Sequence, residues 1–172
     1  MCFNLFKKKE VVLVEPIVIS RSPYKNGDAS GNMPSMRVDI KPEDVTYDKE
    51  TKTLTIKNIE PEVEINTVQN TNSMEPFLDV GHIVVLSNNP KYIDDLKLGD
   101  VIIFDAGNGQ TIIHSIVEIG SDGEQAPPVY VTQGWNIKSP DPYQIYREQI
   151  LNTVILVIPS KEYYNWIPGE ND

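Results

Sequence analysis

The sequence predicts a mostly β fold, on three observations. Short runs rich in Val and Ile recur at residues 83–86, 101–104, 111–119, 129–132 and 150–158, with turn-forming words between them such as Ser87-Asn88-Asn89-Pro90, Leu98-Gly99-Asp100 and Ser121-Asp122-Gly123. β-Branched residues pack well on a pleated surface, so runs of this length and spacing indicate a sheet sandwich or a barrel-like core. Thirteen prolines and ten glycines suit a chain that turns often. Helical signals are thin, because residues 92–98 and 142–149 each offer only a turn or two.

Taken in order, residues 11–20 read as a strand with Pro16 marking an edge or bend, and residues 21–36 read as a loop of Ser, Pro, Asn, Gly and Asp. Residues 37–41 alternate and form a further strand candidate. Residues 44–58 spell a hairpin: Val45 and Tyr47 lead in, Asp48-Lys49-Glu50-Thr51 turns, and Thr53-Leu54-Thr55-Ile56 leads out with period two. Glu62-Val63-Glu64-Ile65 alternates again. No group of chemically competent residues occurs in this stretch. The expected organisation is therefore a β-rich N-terminal appendage over residues 1–64, a catalytic domain over 65–160 and a tail over 161–172.

Composition excludes several classes of function. Fifteen Lys and Arg stand against 25 Asp and Glu, a formal charge of −10, which argues against a nucleic-acid groove and against general attraction to anionic lipid. Cys2 is the single cysteine and His82 and His114 are the two histidines, so no disulfide and no cysteine-built metal site is expected; neither a metal nor a cofactor is implied. Every apolar run is far shorter than the roughly 18 residues of a spanning helix. The N-terminal Cys2, Phe3, Leu5, Phe6 and Lys7-Lys8-Lys9 read as a frayed tail or as a lipidated basic anchor, and weak membrane association through this start is the most that is expected. The expected protein is soluble, cytoplasmic or associated with a virus or mobile element, and of undetermined oligomeric state.

The chemistry concentrates in three places. A serine hydroxyl is a weak nucleophile until a base lies within hydrogen-bond reach; a neutral imidazole has a suitable pKa, and a buried carboxylate on its far nitrogen fixes the tautomer. Ser73 lies in Asn72-Ser73-Met74-Glu75-Pro76-Phe77-Leu78, His114 in Ile112-Ile113-His114-Ser115-Ile116-Val117, and Asp141 in Ser139-Pro140-Asp141. Their order, Ser–His–Asp, is not diagnostic, since such triads recur in unrelated orders. Ile112, His114 and Ile116 share one strand face, which also suits an ordinary core histidine. His82 reads as structural or exposed, and Asp100 as a cap on the Gly99-Asp100 bend.

Four words occur in sequence: Ser73-Met74-x-Pro76-x-Leu78-x-x-Gly81, then Gly99-Asp100-Val101-Ile102-x-Phe104, then Ile112-Ile113-His114-x-Ile116-Val117, then Thr132-x-Gly134-x-Asn136 leading to Asp141. Together they resemble the type I signal peptidases, in particular the archaeal and endoplasmic-reticulum branch that uses histidine as its base. The wider superfamily includes the LexA-like self-cleaving repressors. The resemblance covers roughly residues 65–159 and implies a signal-peptidase/LexA-like β catalytic domain. It assigns Ser73 as nucleophile, His114 as general base and Asp141, seven residues after Gly134, as the triad carboxylate. It places the Thr71 hydroxyl and the Ser73 N–H in the oxyanion hole, and Met74 and Pro76 against substrate. The partner it implies is a peptide or protein cut after a small residue.

The departures from the family's words are specific. The family's Asp after Gly81 is His82, its Arg after the histidine is Ser115, its Asp after Gly134 is Trp135, an expected Asn is Ile137, and the membrane helix is missing. The triad residues survive all of these changes, and the shell around them does not. The alternative expectation is a non-catalytic structural or interaction module that keeps the peptidase fold.

Overall fold

Alternation over residues 45–56 produces a hairpin, β1 (Val45–Asp48) paired antiparallel with β2 (Thr53–Ile56), in the computed structural model, which describes residues 40–59, 62–107, 109–121, 123 and 126–160. Asp48 Oδ1 closes the turn by accepting the backbone N–H groups of Glu50 at 2.8 Å and Thr51 at 3.2 Å, and Lys52 takes a left-handed φ of 55°. Hydrogen bonds led by the Thr51 N–H hold the Asp48 carboxyl below the usual carboxylate range. The register pairs Val45 with Ile56 and Tyr47 with Leu54, so these four share a face. The strand expected at residues 11–20 and the loop at 21–36 lie outside the described residues, as does most of 37–41, of which Ile40 and Lys41 are not in a strand.

The remaining strands are β3 (Val63–Thr67), β4 (Ile83–Ser87), β5 (Val101–Gly107), β6 (Gln110–Ser121), β7 (Pro128–Gln133) and β8 (Ile150–Ile158). They form one antiparallel sheet in the order β3-β4-β8-β5-β6-β7. The protein is therefore mostly β. β3 begins at Val63, just ahead of the boundary expected at residue 65.

Both faces of this sheet are covered, which explains why its strands read as near-continuous apolar runs rather than as clean alternation. Ile102 and Phe104 pack with Ile116, Tyr130, Ile145 and Ile150 in one core, while their neighbour Val101 packs with Met74, Leu78, Val84, Leu86 and Val154 in another. A third cluster joins Val85, Tyr92 and Ile155. Register shifts at Val85/Leu86, Ile103/Phe104, Asp105/Gly107 and Ile116/Glu118 interrupt the ladders, and bulges of this kind bend and twist a strand.

Helix is minor. α1 (Pro90–Ile93) is one turn, started by Asn89, whose side chain accepts the Lys91 N–H at 2.9 Å, with Pro90 in the first position. It ends before the expected residues 94–98 because the chain bends there: Asp100 Oδ2 accepts the Lys97 N–H at 2.9 Å and Gly99 adopts a φ of 90°. Asp100 thus caps its bend, as its sequence context suggests. Of residues 142–149 only Arg147–Gln149 is helical, as a single 3-10 turn, because Ile145 is drawn into a bridge with Tyr130. No helix among the described residues is long and apolar enough to cross a membrane.

Candidate active site

Three segments converge beside the edge strand β3. His114 sits midway along β6, 5 % exposed, where Ile112 and Ile116 on the same face anchor the strand in the core. Its Nδ1 lies 2.6 Å from Asp141 Oδ2. Asp141 is itself fixed from two directions by one residue: the Asp141 N–H donates to the Thr132 carbonyl at 2.7 Å, and Thr132 Oγ1 donates to Asp141 Oδ2 at 2.7 Å. The Tyr130–Ile145 bridge extends this pairing, so residues 141–145 run alongside β7. The carboxylate therefore meets the ring with its geometry set by strand pairing, although 27 residues separate the two. A carboxylate on Nδ1 leaves Nε2 as the nitrogen available to take a proton.

The nucleophile candidate lies on the turn that follows β3. Asn72 takes a left-handed φ of 57° and Ser73 is half-buried. The segment after β7 grips this turn: the Asn136 N–H donates to the Ser73 carbonyl at 2.9 Å, and Asn136 Nδ2 donates to the Asn72 carbonyl at 3.0 Å. Gly134 lies between the Ser73 turn and His114. A Cβ placed on it would stand 2.5 Å from the Ser73 carbonyl oxygen and 2.8 Å from His114 Nε2, closer than real side chains approach. Both atoms neighbour one point, so His114 Nε2 lies near the Ser73 carbonyl, and a side chain at residue 134 would obstruct that approach.

Ser73 Oγ hydrogen bonds to Thr71 Oγ1 at 3.3 Å, and no hydrogen bond joins Ser73 to His114. Sequence reasoning expects Ser73, His114 and Asp141 together. The fold makes the His114–Asp141 pair outright and brings Ser73 to the same cavity without closing the last link. Catalytic hydrogen bonds are often long in unliganded sites and tighten on substrate. The Ser73 N–H is engaged in no hydrogen bond among the described residues, which leaves it, with the exposed Thr71 hydroxyl, as a donor for an anion.

The cavity has a volume of about 460 Å³. Thr71, Ser73 and His114 open into it, and Val68, Val84, Ile103, Ile113 and Ile137 supply apolar wall. Met74 and Pro76 contribute nothing to that lining. Met74 is 2 % exposed and packs in the core with Leu78 and Val154, while Pro76 is exposed elsewhere on the turn. Neither residue borders this cavity, whose walls come from β3–β6, the turn after β3 and the loop after β7. Adjacency to Ser73 in the chain does not determine which way a turn residue faces.

Three residues that the sequence words contain or flank have roles the words do not give: Thr132 as the second partner of Asp141, Asn136 as the grip on Ser73, and Ile137 as apolar wall. Alternation puts Thr132 on the same β7 face as Tyr130, but its partner is set by the return of residues 141–145. His82 is structural, as expected, with Nδ1 accepting the Asp79 N–H at 3.2 Å. No three His, Cys, Asp or Glu side chains converge on a metal position among the described residues. The chain matches no protein-family model, no curated protein and no solved structure.

Proposed function

We propose that the protein is a serine endopeptidase similar to the type I signal peptidases, acting through Ser73, His114 and Asp141. The observation that carries the reading is the 2.6 Å His114–Asp141 contact, with the opposite ring nitrogen near the Ser73 turn beside Gly134 and both residues lining a shared cavity. Among the described residues β3 ends the sheet, so an extended peptide can add to that edge and lay its side chains against the apolar wall. Ser73 Oγ attacks the scissile carbonyl and passes its proton to His114 Nε2, while Asp141, steadied by Thr132, stabilises the imidazolium. The Ser73 N–H and the Thr71 hydroxyl receive the oxyanion, each such donor contributing about 3–4 kcal/mol to lowering the barrier. His114 protonates the leaving amine, the peptide ester forms on Ser73, and water activated by the same imidazole hydrolyses it. No step needs a metal or cofactor.

The test is cleavage of a peptide library by the full chain with Ser73→Ala as control. The reading expects cuts after a small residue that vanish in the variant. Cuts that persist in Ser73→Ala, or no cuts at all, contradict it. One observation favours a second reading, a non-catalytic module: Ser73 Oγ is engaged by Thr71 rather than by His114. Saturable binding of library peptides without turnover is the outcome specific to that reading.

A further inference from the structure

Two of the positions that depart from the signal-peptidase words, Ser115 and Trp135, are bonded to each other: Trp135 Nε1 donates to Ser115 Oγ at 2.8 Å. Ser115 is 4 % exposed and follows His114 directly on β6, so its hydroxyl is fixed to the strand that carries the base. The Trp135 ring stacks on Phe77, centroids 5.5 Å apart and planes inclined by 26°, and Phe77 belongs to the nucleophile turn. The next residue, Asn136, holds the carbonyls of Ser73 and Asn72. Among the described residues no hydrogen bond runs directly from residues 72–77 to β6. The turn is thus held by Asn136, and the segment carrying Asn136 is tied to β6 by the Trp135–Ser115 bond beside the Ser115–Gln133 end of the β6–β7 ladder.

We propose that Trp135 and Ser115 form a latch that fixes the Ser73 turn to the strand of His114, making both of them positioning residues. The catalytic consequence rests on the peptidase reading; the latch itself does not. Two positions that look independent in the sequence are thus joined by one neutral indole–hydroxyl bond. Distance between Ser73 and His114 is what such a latch controls, since Gly134 leaves no slack between them.

Ser115→Val and Ser115→Thr have the same shape and differ by the hydroxyl. Trp135→Phe keeps a ring for Phe77 and removes the donor together with part of the indole's volume, and it provides the test if the valine variant fails to fold. The first readout is amide hydrogen exchange at Asn136 in the full chain, which does not depend on activity. Exchange should accelerate in Ser115→Val and Trp135→Phe and stay near wild type in Ser115→Thr. The second readout is turnover of a cleaved library peptide: kcat should fall up to about tenfold in the two latch-breaking variants, the scale of one neutral hydrogen bond, with KM within about twofold. The double variant should lose no more than either single one. Unchanged Asn136 exchange in both variants, or fully additive losses, overturns the latch. A wild type that cleaves nothing removes the peptidase reading instead, and Asn136 exchange still decides the latch.

Discussion

Replacing Gly134 by alanine separates geometry from backbone preference. The φ of Gly134 lies outside the left-handed region, so alanine fits the backbone, and at a compatible site that exchange stabilises a protein by about 0.4–1 kcal/mol through the unfolded chain. Here the contacts reverse the sign. The new methyl would sit 2.5 Å from the Ser73 carbonyl oxygen, 2.8 Å from His114 Nε2 and 3.1 Å from Ile137 Cγ1. The first neighbour is backbone, held by the Asn136 N–H, and the second is a ring clamped by Asp141. Relief requires the Ser73 turn and the imidazole to part by most of an ångström. Overpacking of this kind costs about 1–3 kcal/mol, and a displacement of about 1 Å between reacting groups costs on the order of 10² in rate. Chemical denaturation and steady-state peptide cleavage on the same preparation measure both. A Gly134→Ala protein as stable and as fast as wild type would refute the close approach of Ser73 and His114 across this residue.

Asp141→Asn should retain the wild-type melting temperature and lose up to about 10⁴ in kcat, because the amide favours the wrong imidazole tautomer; an unchanged rate removes Asp141 from the site. Thr132→Val takes one donor from the same carboxylate, a bond worth about 1.5–3 kcal/mol, and should slow turnover by roughly 10–100-fold in a cleavage assay. Tyr130 predicts an alkaline limit to stability. Burial raises its phenol above the ordinary range, with Arg147 opposing and Asp94 and Asp100 adding to the rise. The stabilisation is complete below the ordinary tyrosine pKa of about 10 and is lost as pH climbs through the elevated folded-state value, so Tyr130→Phe should flatten the alkaline fall in thermal melts.

Where order came from local pattern, the sequence was sufficient. The hairpin at residues 45–56 follows from alternation around an Asp-led turn, and Ile150–Ile158 coincides with β8 at both ends. Where order came from distant partners, it was not. The helical signal in 142–149 yields to the Tyr130–Ile145 bridge, and that in 92–98 to the Asp100 cap. In the site, the flanking words point to His114 and Asp141, and the fold brings these two side chains into a hydrogen bond. The words could not show that Met74 faces the core, that Thr132 supports Asp141, or that Ser115 and Trp135 meet. Each of these depends on how β6, β7 and the returning chain are registered, and register is a property of the sheet rather than of any one segment.

The central claim is that His114 and Asp141 activate Ser73. A fluorophosphonate reacts far faster with a base-activated serine than with an ordinary one, and intact-mass and peptide mapping locate the adduct. The account predicts a single adduct on Ser73 that is abolished in His114→Ala and strongly reduced in Asp141→Asn. No adduct on Ser73, or one that forms at the wild-type rate in His114→Ala, would contradict it.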